Sequence, residues 1–182
     1  DETMRPMPIS PYGAAKLAGE YYCMAFNAAY DLETVALRYF NVFGARQDPD
    51  SEYAAVIPKF IKRMMAGEAP IIYGDGHQSR DFTYIDNVVH GNLLASESPD
   101  APGEVMNLAT GGNISLLQLV DSLNSVMGTS FEPVFADPRP GDILHSQAGI
   151  DKARDLLDFS PIVNFEEGLR RTVEYYQRAA QG

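Results

Sequence analysis

Short β-rich runs alternate with longer stretches of helical periodicity along this chain, and that alternation leaves few folds open. Strands separated by helices connect in parallel through crossovers, the pattern of an α/β sheet with helices on its faces. β-branched and aromatic residues mark strands at 34–40, 70–73, 79–85, 105–109 and 132–135. Helical spacing and capping residues mark the segments between and after them. In open α/β sheets ligands gather beyond the carboxyl ends of the strands. Residues 39–42 are therefore a place to look for cofactor contacts.

The first helix announces itself at Ser10-Pro11-Tyr12-Gly13-Ala14-Ala15-Lys16. Ser10 can cap it, and Pro11 suits a first turn whose N–H would have no intrahelical partner. Residues four apart share a helix face, so the Tyr12 phenol and the Lys16 ammonium come within reach of each other. A phenol acting as a base near pH 7 must lose about three units from its ordinary value of ~10, roughly 4 kcal/mol of preferential phenolate stabilisation. A cation about 4 Å away at an effective dielectric near 20 supplies a similar amount. The helix should run to about residue 29, with Leu17, Tyr21, Met24, Ala25 and Ala28 on a core-facing stripe and Cys23 packed as a small apolar side chain.

Further along, Ile57, Phe60, Ile61, Met64 and Met65 form one side of a second helix, with Lys59, Lys62 and Arg63 turned to solvent. Residues 70–73 read as a strand entering a tight turn at Gly74-Asp75-Gly76, from which residues 79–85 return as a second strand. Alternation puts Arg80, Phe82 and Tyr84 on one face of that strand and Ser79, Asp81 and Thr83 on the other. Asp86, Ser115 and Asp151 read as helix caps, Gly128 as a helix stop, and residues 164–167 as a capping box.

Composition narrows the partners. The 182 residues carry 25 Asp plus Glu against 14 Lys plus Arg, a net charge of −11, without a long basic run. Nucleic acid and anionic membranes are poor matches for such a surface. Cys23 is the sole cysteine, which rules out an internal disulfide and suits a reducing compartment such as the cytoplasm. His77, His90 and His145 lack ligand-spaced partners, so no metal is expected. No apolar run approaches a membrane span, and Asp1-Glu2-Thr3-Met4 resembles neither a signal peptide nor an initiator, as if the chain were cut at its front.

Four segments then carry a resemblance. Tyr12-Gly13-Ala14-Ala15-Lys16, Leu37-Arg38-Tyr39-Phe40-Asn41-Val42-Phe43-Gly44, the run from Tyr73 to Asp86 and Arg139-Pro140-Gly141-Asp142 together resemble the extended short-chain dehydrogenase/reductase family, and within it the nucleotide-sugar 4-epimerases. The resemblance spans essentially the whole chain. It implies a partial Rossmann-like doubly wound sheet with a small mixed α/β substrate-binding subdomain, mainly residues 45–85 and 112–182. It implies NAD as cofactor, with Tyr12 as acid–base catalyst, Lys16 lowering its pKa and bonding the nicotinamide ribose, and Tyr39, Phe40, Asn41 and Val42 flanking the nicotinamide. It also implies a UDP-sugar pocket lined by Asn41, Ala55, Val56, Ile71, Ile72 and Tyr73, a diphosphate clamp of Arg80 and Arg139, and an Asp142 contact to sugar or ribose. A homodimer is expected in the full-length form, with Leu17, Tyr21 and Met24 as alternative interface residues.

Arg46-Gln47-Asp48-Pro49 and Tyr53-Ala54-Ala55-Val56-Ile57-Pro58 look like the subgroup acting on N-acetylated UDP-hexosamines or their uronic acids, small Ala55 leaving room for an acetamido group. The commonest relatives place Arg where Leu144 stands. The glycine-rich cofactor turn and the family's catalytic Ser or Thr are absent, Thr3 and Ser10 lying too near Tyr12 to take that place. The chain therefore reads as the C-terminal portion of an epimerase, inactive alone and prone to associate. A 4,6-dehydratase or UDP-glucuronate decarboxylase is the alternative within the family, and a non-catalytic nucleotide-sugar-binding module the alternative outside it.

Overall fold

The computed structural model describes residues 1–50, 55–139 and 143–181. Helix α1 (Pro11–Tyr30) starts as the sequence indicates, with Pro11 in its first turn and the Ser10 hydroxyl accepting from the Gly13 N–H at 3.1 Å. Strands β1 (Ala36–Tyr39) and β2 (Val42–Phe43) follow, then α2 (Val56–Met65), β3 (Ile71–Tyr73), β4 (Ser79–Arg80), β5 (Thr83–Tyr84) and α3 (Ile85–Glu97). The remainder is β6 (Val105–Leu108), β7 (Ile114–Ser115), α4 (Leu116–Met127), β8 (Val134–Ala136), β9 (His145–Ser146), α5 (Asp151–Leu157) and α6 (Phe165–Ala179).

The α/β class holds, and the pairing is mostly parallel. β1 lies beside β6 with Ala36 opposite Val105, β2 beside β5, and β3 beside β8 with Ile71 opposite Val134. β4 is flanked by antiparallel β7 and parallel β9. The expected return strand over residues 79–85 is corrected here. It divides into β4 and β5, which join different sheets, and neither pairs with β3. The turn at Gly74 and Gly76, both at positive φ, redirects the chain without closing a hairpin.

Helix ends follow local chemistry with three corrections. Ser115 and Gln118 form a reciprocal capping box on α4, and Gly128 ends it in the left-handed conformation; at the start of α6 only half of the expected box forms, Asn164 accepting from the Glu167 N–H while the Glu167 carboxylate turns to Arg170 and Arg171. Asp86 and Asp151 do not cap. They lie in the first turns of α3 and α5, where a carboxylate still complements the helix dipole.

The main core joins α2, α4 and α6 to β2, β3 and β5 through Phe43, Ile57, Ile61, Ile72, Leu119 and Leu169. Edge-on rings extend it, with Phe43 5.6 Å from Tyr84 and 6.3 Å from Phe82. A second cluster under β1 and β6 holds Met106, Leu108, Leu157 and Phe159. Gly91 lets α3 approach that cluster, since a β-carbon there would stand 2.6 Å from Leu108 Cδ1.

Helix α1 contradicts the expected stripe. It buries no residue fully; Tyr21 is 54% exposed, Met24 40%, and Ala25 and Ala28 also face out. The half-covered face is Gly13, Leu17, Glu20, Cys23 and Asn27, one helical turn apart and turned toward β1. Arg38 of β1 makes two 2.7 Å hydrogen bonds to Glu20, and the Thr34 hydroxyl donates to the Cys23 carbonyl at 2.7 Å. Polar bonds, more than apolar burial, hold α1 in place. Among the described residues no helix is long and apolar enough to cross a membrane.

Candidate functional site

Beyond the carboxyl end of β1 the chain bends at Asn41, whose φ is 38°. Its side-chain amide donates to the Asp81 carbonyl at 3.1 Å, and its own carbonyl accepts from the Thr83 N–H. This stitch joins the β1–β2 corner to the β4–β5 segment and opens a cavity of about 580 Å³ between them and α2. Asn41, Val42 and Phe43 line it from the corner, Ala55, Val56 and Lys59 from the head of α2, and Ile71 and Tyr73 from β3. Arg80 and Arg139 complete the wall.

Arg80 donates to the Ser79 carbonyl at 2.8 Å and to the Leu144 carbonyl at 3.3 Å, which fixes its guanidinium at the mouth. Arg139, on the loop after β8, stacks with its guanidinium carbon 3.9 Å from the centre of the Tyr73 ring. Two rigidly placed guanidinium groups on separate elements suit a ligand with two adjacent anionic groups. The wall is strongly basic: Lys59, Lys62, Arg63, Arg80 and Arg139 line it, and Asp50 is the one acid among its described residues.

Of the residues expected in a substrate pocket, Asn41, Ala55, Val56, Ile71, Tyr73, Arg80 and Arg139 meet around this cavity, joined by Val42, expected at the nicotinamide. Ile72 does not. Successive residues of a strand face opposite ways, and Ile72 points into the main core with no exposed surface. Asp142 lies outside the described residues, as do Pro140, Gly141, Tyr53 and Ala54. Tyr12 and Lys16 are placed apart from the cavity wall, on the open face of α1. The Lys16 ammonium is 5.4 Å from the centre of the Tyr12 ring, and Tyr12 is 68% exposed. Tyr39 is half exposed with its hydroxyl 3.0 Å from Asn92 Oδ1, while Phe40 packs on Ala109, Ala148 and Ile150.

Three contributors escape a reading of the sequence. Lys59, assigned there to solvent, is half-buried in the cavity wall. Gln78 also lines it and donates to the Tyr73 carbonyl at 2.5 Å, holding the strand that carries that ring. Asp81 has no exposed surface, and its carboxylate accepts from the Thr110 N–H at 3.0 Å, the Thr110 hydroxyl at 2.6 Å and the Gly111 N–H at 2.8 Å. It ties the segment bearing Arg80 to the turn after β6. The alternation of residues 79–84 was the available signal for Asp81, since it set this carboxylate on the face opposite Arg80. Cys23 is half-covered, His77 is exposed, and His145 Nδ1 is 2.8 Å from the Ser79 hydroxyl. Among the described residues no three His, Cys, Asp or Glu side chains converge as metal ligands would.

The chain is 36% identical over 180 residues to a UDP-glucose 4-epimerase of Mycolicibacterium smegmatis, a match covering 99% of this chain and 57% of that protein. A UDP-N-acetylglucosamine 4-epimerase from Methanobrevibacter ruminantium, solved with UDP-N-acetylmuramic acid, superposes with a TM-score of 0.93 at 44% identity, over 98% of this chain and 57% of that one. A UDP-glucuronic acid 4-epimerase from Bacillus cereus, solved with UDP-glucuronic acid and NAD, gives 0.89 at 36% identity, over 98% and 56%. The chain thus spans little more than half the length of the relatives it matches. Residues 1–109 match the model of the NAD dependent epimerase/dehydratase family, and to that family this chain belongs.

Proposed function

We propose that this chain forms the substrate cavity and carries the acid–base pair of an NAD-dependent nucleotide-sugar 4-epimerase, acting on a UDP-N-acetylhexosamine or UDP-hexose. One observation carries the reading: eight side chains drawn from separate sequence motifs converge on a single basic cavity. Arg80 and Arg139 bind the diphosphate there, and Ile71, Tyr73, Ala55 and Val56 enclose the rest of the ligand. The relatives, whose names specify UDP-glucose, UDP-N-acetylglucosamine and UDP-glucuronic acid, support a UDP-sugar.

Tyr12 takes the proton of the sugar 4-hydroxyl as C4 becomes a ketone. It returns that proton to the 4-oxygen once the ring presents its opposite face. Lys16, on the next helical turn, stabilises the phenolate that takes this proton and that is restored when the proton is returned. NAD supplies, when bound, the acceptor and donor of the C4 hydride. Tyr12, Lys16, Tyr39, Phe40, Asn41 and Val42 are the residues that would hold its nicotinamide end. A phenol and an ammonium side by side on an open helix face fit a ribose hydroxyl, whereas the 182 residues contain no Gly-x-Gly-x-x-Gly turn for the dinucleotide phosphates. Residues 45–85 and 112–182 form the substrate-binding part in this reading. Pairing of two copies through the open face of α1, a cytoplasmic setting and the absence of a nucleic-acid partner belong to the same proposal. Exposed Tyr21, Tyr22 and Phe26 support the first, and a net charge of −11 the last.

Calorimetric titration of the purified chain with UDP-N-acetylglucosamine tests the reading. Binding that disappears in Arg80→Ala is the expected result. A cooperatively folded chain that binds no UDP-sugar overturns it.

A further inference from the structure

Among the described cations that line this cavity, Lys59 stands without a hydrogen bond, ion pair or ring contact. Lys62, one turn along α2, has its ammonium on both carboxylate oxygens of Asp50. Arg63 bonds the Ala69 carbonyl and pairs with Glu68 at 3.0 Å. Arg80 and Arg139 are held by the Ser79 and Leu144 carbonyls and by the Tyr73 ring. Among the described residues the Lys59 ammonium has no such partner, although the residue is half-buried in the cavity wall. Its neighbours at the head of α2, Ala55 and Val56, line the same cavity, and Lys59 belongs to the same stretch of wall.

We propose that Lys59 is a third cationic ligand-binding residue, which takes an anionic oxygen of the nucleotide sugar in addition to those held by Arg80 and Arg139. This rests on the nucleotide-sugar reading above. The chemistry it recognises is a singly bonded anionic oxygen, and two groups offer one: the diphosphate, common to every such ligand, or a carboxylate on the sugar. Unlike the planar guanidinium groups, an ammonium on a four-carbon stem meets such an oxygen as a point charge, with tolerance in direction.

The test is calorimetric titration of the wild-type chain, Lys59→Gln, Lys59→Arg and Arg154→Gln with UDP, UDP-N-acetylglucosamine and UDP-glucuronate, at two salt concentrations, with thermal unfolding recorded for each variant. Arg154 pairs with Asp151 on the exposed side of α5, so its substitution changes net charge by the same amount away from the cavity. Lys59→Gln is expected to weaken binding by about tenfold at unchanged melting temperature and to reduce the salt dependence. Lys59→Arg should recover most of the loss, and Arg154→Gln should match the wild type. A loss shared by all three ligands assigns the oxygen to the diphosphate. A loss confined to UDP-glucuronate assigns it to the sugar carboxylate. Equal affinity of Lys59→Gln and wild type for all three ligands overturns the role of Lys59 and leaves the nucleotide-sugar reading standing. A folded wild-type chain that binds none of them overturns both.

Discussion

Replacing Asp81 by Ala removes one acceptor from three hydrogen bonds at once. The carboxylate is fully buried and is met by the Thr110 N–H, the Thr110 hydroxyl and the Gly111 N–H at 3.0, 2.6 and 2.8 Å. Hydrogen bonds to a charged acceptor contribute about 1.5 kcal/mol or more each, and their donors become buried and unmet when it is lost. Relief from burying a carboxylate offsets part of this, which leaves a net destabilisation of about 3 to 5 kcal/mol. For a chain of this length that corresponds to a melting temperature lower by roughly 10 °C. Asp81→Asn separates the contributions. One amide oxygen can still serve Thr110, while the amide nitrogen confronts the Gly111 N–H, so the loss should fall to about 1–3 kcal/mol. Urea unfolding followed by circular dichroism at pH 7 measures both variants. If Asp81→Ala unfolds within 1 kcal/mol of the wild type, or Asp81→Asn is no more stable than Asp81→Ala, the carboxylate is not the tie argued here.

Three further outcomes follow from the geometry. Ile72→Ala should cost about 2–5 kcal/mol in urea unfolding with UDP affinity of the folded protein intact, whereas Ile71→Ala should weaken UDP binding at a smaller stability cost, because the two face opposite sides of β3. Gly76→Ala should be destabilised by about 1–3 kcal/mol, since φ is +83° and the new methyl would meet Leu117 Cγ at 2.8 Å; Gly67→Ala, at φ +76° in open space, should lose less by the same thermal-melting assay. The Arg170 and Arg171 guanidinium groups hold the Glu167 carboxyl down at about 2. A depressed carboxyl contributes stability that is present above the unfolded value near 4.5 and lost as pH falls toward 2. Glu167→Gln should therefore flatten the drop in melting temperature across that window, and an unchanged acid profile would show that the pair adds nothing.

What the sequence disclosed was local. Ser10 before Pro11, Ser115 and Gly128 act within one helical turn, so their roles are fixed by neighbours a few residues away, and the structure keeps all three. Pairing partners are not local. Nothing near residues 79–85 states that Ser79 will lie beside His145 while Thr83 lies beside Val42, and the expected hairpin failed for that reason. The cavity was legible as a set of motifs, but Ile72 entered that set with its neighbours although strand alternation separates it from them. Lys59 was hidden by the opposite error. On a helix whose apolar side packs inward, the flanking positions look like solvent until a β3–β8 sheet is placed across from them. The stripe on α1 misled because Tyr21 and Met24 have the spacing of a core face and no core beside them.

The parallel pairings carry a kinetic consequence. Ala36 meets Val105, Val42 meets Thr83, Ile71 meets Val134 and Ser79 meets His145, so each pair closes a loop of tens of residues. Loop-closure entropy is lost before such contacts form, and chains dominated by distant contacts fold slowly, on the millisecond-to-second scale or beyond. Arg139 follows β8, and β8 has no partner until β3 receives it. A nascent chain that has not yet delivered residue 134 therefore holds Asn41 and Arg80 without the stack that completes the wall. A binding signal that appears after dilution from urea therefore reports that β3 and β8 have paired.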